Sequence, residues 1–277
     1  MPIQLGTVAA IGFEDFPPPQ WLACFRALGC TTVQAYRNQA AQVTVQQMRE
    51  TIAASGLPCD SLHGVFGEQF DPSSPDERAR RFAADAYRVE GELALALGGP
   101  LVVVHCSTIR REGVSPQERA LRVAQLRKSI HDLGLFGQNT GVTYAFENLP
   151  GYHPIGWDVR ELAGILDEVG APNTGMCFDT GHANMVGDAA AAVRHAAAQM
   201  IYLHVSDNGS REDEHLMPTH GTIDFDALAR AVHQVGYGGT MMLEAFYKID
   251  RLQRLIDEGF AGRLAHIVAL ANGAEKQ

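Results

Sequence analysis

The chain has 277 residues, of which 46% are hydrophobic, and a formal net charge of −10 at pH 7. This length and apolar content suit one barrel-sized domain, and the negative charge disfavours general binding to phosphate backbones. No apolar run reaches the roughly 20 residues that span a membrane, and the N-terminus lacks a basic leader region. We therefore expect a cytoplasmic protein with neither a nucleic-acid nor a membrane partner.

Eight segments that are mostly short and poor in charge are typical of strands buried on both faces of a parallel sheet. In chain order they are Ile3–Ile11, Thr32–Ala35, Cys59–His63, Leu101–His105, Val142–Glu147, Gly175–Asp179, Ile201–Val205 and Met241–Glu244.

Helical patterns lie between these strands. They are Pro19–Leu28, Val45–Ser55, Asp76–Leu97, Pro116–Leu133, Val159–Val169, Ala189–Ala197, Phe225–Val235 and Ile249–Leu270. Asp76–Leu97 is the clearest, because Phe82, Ala86 and Val89 recur at helical spacing and Gly98 follows as a stop signal.

Alternation of eight strands with eight helices predicts an α/β protein, a (β/α)8 TIM barrel forming a single domain over residues 1–277. We expect the tail, residues 272–277, to be disordered. An open doubly wound sheet is the alternative. The first turn, GFEDFPPPQ, is not the Gly-rich phosphate loop that such a sheet usually carries.

The five cysteines predict neither disulfides nor a zinc site made of thiolates. Their number is odd, and no CxxC pair occurs. Cys106 and Cys177 are interpreted as small buried hydrophobic residues.

One metal-ligand type of residue ends each of six successive predicted strands. These residues are His63, His105, Glu147, Asp179, His204 and Glu244. In a (β/α)8 barrel the carboxyl ends of the strands converge on one face, where active sites lie. The pattern therefore predicts a single site.

Four of these residues, Glu147, Asp179, His204 and Glu244, come from consecutive strands. Carboxylates with an imidazole suit Mn²⁺, Zn²⁺, Co²⁺ or Fe²⁺ better than Ca²⁺. A helix cap, an ion pair or a satisfied core histidine would explain any one of them alone. A charge that ends an apolar strand is costly unless it is paired, so four in register favour a metal.

Several further residues are candidates for substrate binding or an auxiliary metal. His182 follows Gly181, which permits a sharp turn, and Asp213 and His215 flank one residue of a polar loop. Loop histidines and a solvated charge run are the structural alternatives. His63 and His105 could be buried histidines that bond backbone, but their positions at strand ends beside small residues favour lining of the cavity. The arginines that follow strands, and that could bind an anion, are Arg37, Arg110, Arg111 and Arg211.

The segments FENLP, CFDTGHANM, LHVSDN, DEHLMPTHGTID and LEAF together resemble the xylose-isomerase-like TIM-barrel superfamily, which includes the sugar phosphate isomerase/epimerase family. The resemblance to its ketose epimerases implies one divalent metal on Glu147, Asp179, His204 and Glu244. It also implies that Glu147 and Glu244 exchange the substrate proton, that His182 holds a hydroxyl, and that Arg211 is near a substrate-binding arginine. The chain departs from relatives at His220, which could alter specificity or add a ligand.

The preferred function is a metal-dependent isomerase or epimerase of a small keto-sugar, cyclitol or related hydroxy-ketone, with a carbohydrate-like substrate. The acidic charge balance favours an unphosphorylated one. The alternative is a dehydratase of an inosose-like or dehydroshikimate-like ketone. A less favoured reading resembles endonuclease IV, which implies three zinc ions on counterparts of the residues above. Additional metals and a homo-oligomer are left open.

Overall fold

The computed structural model describes residues 2–110 and 113–274, and within them eight parallel strands close into a barrel in sequence order. The strands are β1 Gln4–Ile11, β2 Thr32–Arg37, β3 Cys59–His63, β4 Leu101–His105, β5 Thr143–Glu147, β6 Thr174–Asp179, β7 Met200–Val205 and β8 Thr240–Leu243. The predicted (β/α)8 barrel is confirmed.

Helices connect the strands and cover the outside of the barrel. They are α1 Pro18–Ala27, α2 Val45–Ser55, α3 Glu77–Leu97, α4 Pro116–Thr140, α5 Val159–Val169, α6 Thr180–Val186, α7 Ala189–Ala196, α8 Phe225–Gln234, α9 Ile249–Asp257 and α10 Phe260–Ala271, with a 3₁₀ turn at Glu68–Phe70. Within the two described ranges, no helix is both long and apolar enough to cross a membrane.

Two helix predictions were wrong in extent, and one helix was missed. The helix α4 runs past Gly134 and Gly137, where a methyl group would meet backbone oxygens of Pro172 and Val142 at 2.6 and 2.4 Å. These glycines permit close packing and do not end the helix. The predicted last helix is two helices, because Gly259 adopts a φ of 76° between α9 and α10. The short helix α6 was not predicted.

The apolar residues whose spacing predicted α3 are only partly buried. Phe82 and Val89 are 57% and 61% exposed, whereas Leu97 is buried and Tyr87 and Ala94 are fully buried. The buried face also carries Glu90, which pairs with Arg37 of β2. Periodicity therefore identified the helix, but the side that packs on the barrel is defined by other residues as well.

The chain ends beside its beginning. The side-chain oxygen of Asn272 accepts a hydrogen bond from the backbone N–H of Ile3 at 2.7 Å, and the amide nitrogen of Asn272 donates to the carbonyl of the same residue at 3.0 Å. Residues 275–277 lie outside the described ranges, so the predicted disorder of the tail stays a prediction.

The barrel interior contains a small apolar layer between two polar ends. This layer consists of Val103, Ala145, Cys177, Tyr202 and Met242, all of which are buried. Below it, towards the amino ends of the strands, Asp60 accepts hydrogen bonds from Tyr202 and Thr240. Above it lie the carboxyl ends of the strands.

Candidate active site

The register of the barrel brings the strand-end residues together. His105 lies beside Glu147 on neighbouring strands β4 and β5, and Asp179 lies beside His204 on β6 and β7. Glu244 directly follows β8, and its backbone N–H donates to the carbonyl of Val205 at 3.0 Å. The register steps by two residues between β5 and β6 and again between β7 and β8, since Glu147 pairs with Cys177 and His204 with Met242. The tilt of the strands in the barrel compensates for these steps and brings the side chains together at the carboxyl ends.

Glu147, Asp179, His204 and Glu244 form the centre of the site. Their ligand atoms all lie within 4.8 Å of one another, and all four residues are buried. His204 Nδ1 is 2.8 Å from Glu147 Oε1 and 2.9 Å from Glu244 Oε2. One imidazole thus joins carboxylates from β5 and β8.

Strong mutual charges act within this centre. Burial raises the pKa of Asp179 to about 6. Burial would also raise the pKa of Glu147 and Glu244, but the positive charge of His204 outweighs it, holding Glu147 well below its usual range and Glu244 at about 2. Burial opposes the charge on His204, yet its carboxylate neighbours and the Cys177 thiol keep the histidine pKa well above normal.

The donor set fits a divalent cation. Asp179 Oδ2 is buried and has no hydrogen-bond partner among the described residues. Three buried carboxylates face one imidazole, and buried charges are ordinarily paired or bound to metal. Oxygen and imidazole nitrogen donors together suit a transition-metal ion.

Asn148 holds Asp179 in place, and the prediction missed it as a site residue. Its side-chain oxygen accepts from Asp179 N at 2.7 Å, and its amide nitrogen donates to Asp179 O at 3.1 Å. Its own carbonyl lies 2.8 Å from His182 Nδ1. Its position directly after Glu147, in FEN, was the available signal.

His63 and His105 form a second group with Glu147, again with ligand atoms within 4.8 Å. His105 Nε2 lies 3.1 Å from Glu147 Oε2. His63 Nδ1 lies 2.9 Å from the Gly64 carbonyl, so this histidine both bonds backbone and lines the cavity. Burial lowers the pKa of His63 to about 4, so its ring is neutral at pH 7.

His182, Asp213 and His215 form a third group. Asp213 Oδ2 lies 3.3 Å from the Nε2 atoms of both histidines. Burial works against charge on His215, but hydrogen bonding to Asp213 raises its pKa to about 9. The predicted shared orientation of Asp213 and His215 is therefore present, and His182 joins them.

Gly181 has a different role from the predicted sharp turn. The chain passes directly from β6 into α6, whose first turn is capped by Asp179 Oδ1 accepting from His182 N at 2.6 Å. A methyl group on Gly181 would meet Ser206 Oγ at 2.3 Å. The position therefore requires a small residue for close packing.

The long loop after β7 is well ordered by its own polar groups. Asp207 pairs with Leu216 through two backbone hydrogen bonds of 2.8 Å, and its carboxylate accepts from the backbone of Gly221 and Ile223. His215 has a φ of 46°, a conformation that non-glycine residues adopt mainly where the surroundings enforce it. The loop thus presents Asp213 and His215 and is not a solvated charge run.

Other candidates lie away from the cavity. His220 packs against Tyr247 and Phe260, and its Nδ1 lies 2.8 Å from the Tyr247 hydroxyl, so it is not a ligand in this arrangement. Arg37 pairs with Glu90. Arg211 is exposed and does not line the cavity, and Arg111 lies outside the described residues.

Members of all three groups line one cavity of about 280 Å³, near the lower limit for small-ligand pockets, roughly 300 Å³, while Asp179 and His204 lie behind its wall. Lining residues that the prediction missed include Tyr36, Phe66, Tyr152 and His153, whereas Arg110 was predicted as an anion-binding candidate. Tyr152 and His153 lie in a loop after β5 without periodicity or charge to mark them.

The fold and the site define a parallel (β/α)8 barrel with a buried acid–histidine centre at the carboxyl ends of its strands. The xylose isomerase-like TIM barrel model matches residues 22–262, and the chain belongs to this family.

Among relatives, an uncharacterized protein of Methanocaldococcus jannaschii is 27% identical over 191 residues, which cover 66% of this chain and 63% of that protein. D-psicose 3-epimerase of Ruminiclostridium cellulolyticum is 22% identical over 218 residues, covering 75% of this chain and 70% of the relative. A crystal structure of D-psicose 3-epimerase in the presence of D-fructose has a TM-score of 0.77 at 16% identity and covers 98% of this chain and 100% of its own. Named relatives are thus sugar epimerases, with an inosose isomerase among them.

Proposed function

We propose that the protein is a divalent-metal-dependent isomerase or epimerase of a small keto-sugar, cyclitol or related hydroxy-ketone, acting in carbohydrate metabolism. The observation that carries this proposal is the pair of carboxylates, Glu147 from β5 and Glu244 from β8, that reach the same nitrogen of His204 at 2.8 and 2.9 Å. The names of the epimerase and isomerase relatives support it.

Glu147, Asp179, His204 and Glu244 would hold the cation. When bound there, it would stabilise negative charge that develops on a substrate carbonyl oxygen. Asp179 already has one oxygen bonded to His182 N, which leaves Oδ2 free for a ligand. Asn148 fixes the Asp179 backbone, so the ligand geometry is set before any ligand binds.

Two proton transfers complete the reaction. Glu147, which is ionised at pH 7, takes the proton from the carbon next to the carbonyl, and the electron pair of that C–H bond moves onto the carbonyl oxygen. Glu244, whose pKa of about 2 keeps it ionised in the substrate-free protein, must first take up a proton from solvent or substrate, and it then returns that proton to the opposite face of the same carbon as the carbonyl re-forms. For one epimerisation, Glu147 ends protonated and Glu244 ionised, and proton exchange with solvent resets both.

His182 is suited to hold a substrate hydroxyl during these steps. Its ring lines the cavity, and its nitrogens lie 2.8 Å from the Asn148 carbonyl and 3.3 Å from Asp213 Oδ2. Burial disfavours a charged His182, but Asp179 and Asp213 keep its pKa well above normal. In a protonated His182 the Nδ1–H donates to Asn148, and the Nε2–H, which makes the longer contact to Asp213, would be the donor to a substrate oxygen.

Solvent deuterium exchange into a panel of ketoses tests the proposal. Glu147→Gln and Glu244→Gln should each reduce exchange by about 10²- to 10⁴-fold, the usual contribution of a positioned general acid or base. Glu161→Gln, at a half-exposed ion pair with Arg119, is the matched control and should exchange normally. Wild-type exchange rates in both site variants would exclude this mechanism.

A dehydratase of an inosose-like or dehydroshikimate-like ketone would use the same first proton abstraction and then expel a β-hydroxyl group as water. The two reactions separate by product. Mass spectrometry of the reaction mixture should show unchanged mass for an isomerase and a loss of one water for a dehydratase.

A phosphodiesterase like endonuclease IV is a second candidate, favoured by one observation. His63 and His105 approach Glu147, and Asp213 lies between His182 and His215, so two further groups could each hold a metal. The cavity of about 280 Å³ and the net charge of −10 oppose a DNA substrate. Cleavage of abasic-site DNA by the metal-loaded protein would favour the phosphodiesterase.

A further inference from the structure

The loops after β4 and β5 form one wall of the cavity, and the proposed function gives this wall no role. Arg110 from the first loop and Tyr152 and His153 from the second line the same cavity as Glu147 and Glu244. The second loop is held in a turn, because His153 N donates to the Pro150 carbonyl at 3.1 Å and Leu149 N donates to the Gly156 carbonyl at 3.0 Å.

His153 is a buried polar side chain in this wall, and one of its two ring nitrogens lacks a hydrogen-bond partner among the described residues. The residue is 8% exposed, and its Nδ1 has no hydrogen-bond partner among residues 2–110 and 113–274. A buried polar atom without a partner is rare and calls for a ligand or water. Burial, followed by the charges of His105 and His182, lowers the pKa of His153 to about 3, so the ring is neutral. The other ring nitrogen bonds the backbone of Ile109, which leaves Nδ1 as an acceptor for a ligand.

The positively charged side chain of Arg110 lines the same cavity as His153. The guanidinium carbon lies 4.7 Å from the centre of the Tyr152 ring, a distance at which the ring attracts the charge and orients the side chain. Among the described residues, no carboxylate forms an ion pair with Arg110. The guanidinium therefore keeps its hydrogen-bond donors available, in the planar geometry that matches carboxylate and phosphate groups.

We propose that Arg110, Tyr152 and His153 form a distal substrate subsite, in which Arg110 binds an anionic group of the sugar and His153 bonds a neighbouring hydroxyl. This rests on the proposed function and names its substrate class: a keto-sugar that carries a carboxylate or a phosphate. The net charge of the chain favours an unphosphorylated substrate, which is compatible with a carboxylate. Arg110 is exposed but lines the mouth of one small cavity, where a nearby charge outweighs the screened charge of the distant surface.

The binding test uses three probes on the zinc-loaded protein: D-fructose, D-fructose 6-phosphate and 5-keto-D-gluconate. Titration calorimetry should give a lower dissociation constant for at least one of the two anions than for fructose. Arg110→Met should weaken binding of that anion by about 10- to 100-fold, the range for hydrogen bonds to charged groups, and leave fructose unchanged. Which anion responds distinguishes phosphate from carboxylate.

A matched control is available in Arg251, which packs over the ring of Tyr247 at 3.6 Å but does not line the cavity. Arg251→Met should retain the preference for the anion. His153→Leu should weaken all three probes and His153→Gln, which keeps a donor and an acceptor, should restore much of the loss. Equal affinity of the wild type for fructose and both anions, unchanged in Arg110→Met, would overturn the proposal.

Calorimetry separates this subsite from the reaction. If the anion preference holds and depends on Arg110, but no ketose exchanges deuterium, then the subsite stands and the proposed function fails. If ketoses exchange and neither anion is preferred in affinity or KM, then the function stands and the subsite fails.

Discussion

The barrel contains two polar groups at its two ends, and they differ in how their hydrogen bonds are satisfied. At the amino ends of the strands, Asp60 Oδ1 accepts from Ser61 and Tyr202 at 2.7 and 2.9 Å, and Oδ2 accepts from Thr240 at 2.8 Å. At the carboxyl ends, Asp179 Oδ2 is buried with no partner among the described residues. The same residue type thus has two different environments in one barrel.

The difference separates a structural group from a functional one. A fully paired polar network adds rigidity, whereas an incompletely paired one is costly unless a ligand completes it. The apolar layer between them keeps the two apart, and Tyr202 contacts both, since its hydroxyl reaches Asp60 and its ring lies 5.7 Å from the His204 ring. An unpaired carboxylate oxygen that lies among other ligand-type side chains, as at Asp179, supports the proposed metal site, whereas the paired carboxylate of Asp60 supports a structural role.

Asp179→Asn should have the largest effect, because it replaces the unpaired oxygen and removes a ligand charge while an amide oxygen can keep the cap of α6. We expect metal affinity to fall by more than about 100-fold, the upper loss for mutated outer-sphere partners, and deuterium exchange to fall with it. Elemental analysis after dialysis measures the metal. Asp188→Asn, at the exposed cap of α7, is the control.

In chelated protein the same Asp179→Asn substitution should stabilise the fold by about 1 kcal/mol, because it removes a buried charge without a full set of partners. Urea unfolding at pH 7 measures this. Full metal occupancy in the variant, or a clear loss of stability in chelated protein, would contradict the assignment of Asp179 as an incompletely paired ligand.

Asp60→Leu should lower the stability of the fold and leave metal binding unchanged, the reverse of Asp179→Asn. Tyr202 and Thr240 lose their acceptor, so we expect the free energy of unfolding to fall by about 2–3 kcal/mol, while metal content and exchange stay normal in the folded protein. Asp15→Ala, at an exposed ion pair with Lys248, should change stability by less than about 0.5 kcal/mol. If Asp60→Leu lost its metal while folded, the polar group at the amino end of the barrel would not be purely structural.

The smallest predicted effect is that of His153→Gln on the pH dependence of the free energy of unfolding. The pKa of His153 is about 3 in the folded protein against 6.5 for an ordinary histidine, so this contribution to stability is fully present above pH 6.5 and is lost as pH falls towards 3. Between pH 7 and pH 5 the wild type should lose about 1–2 kcal/mol more than His153→Gln, by urea unfolding of chelated proteins. Parallel losses in both proteins would mean that His153 is not held neutral by burial.

Local sequence patterns were sufficient for most of the architecture. Buried parallel strands are apolar along their length, so a charged residue that ends one is conspicuous, and this is why His105, Glu147 and Asp179 were found. The spacing of one such residue per β/α unit also located the centre at one face of the barrel. Helix ends were less predictable where a glycine serves packing, as at Gly134, or breaks a helix, as at Gly259.

The sequence by itself determined the barrel, its strand order and the ligand-type residues at the strand ends, because these depend on periodicity and on alternation along the chain. Tertiary structure alone decided which side of α3 is buried, that His220 and Arg37 lie away from the cavity, and that Tyr152, His153 and Arg110 form one wall. Loops from successive strands meet only after the barrel closes. No local pattern encodes whether a polar atom such as Asp179 Oδ2 then has a partner.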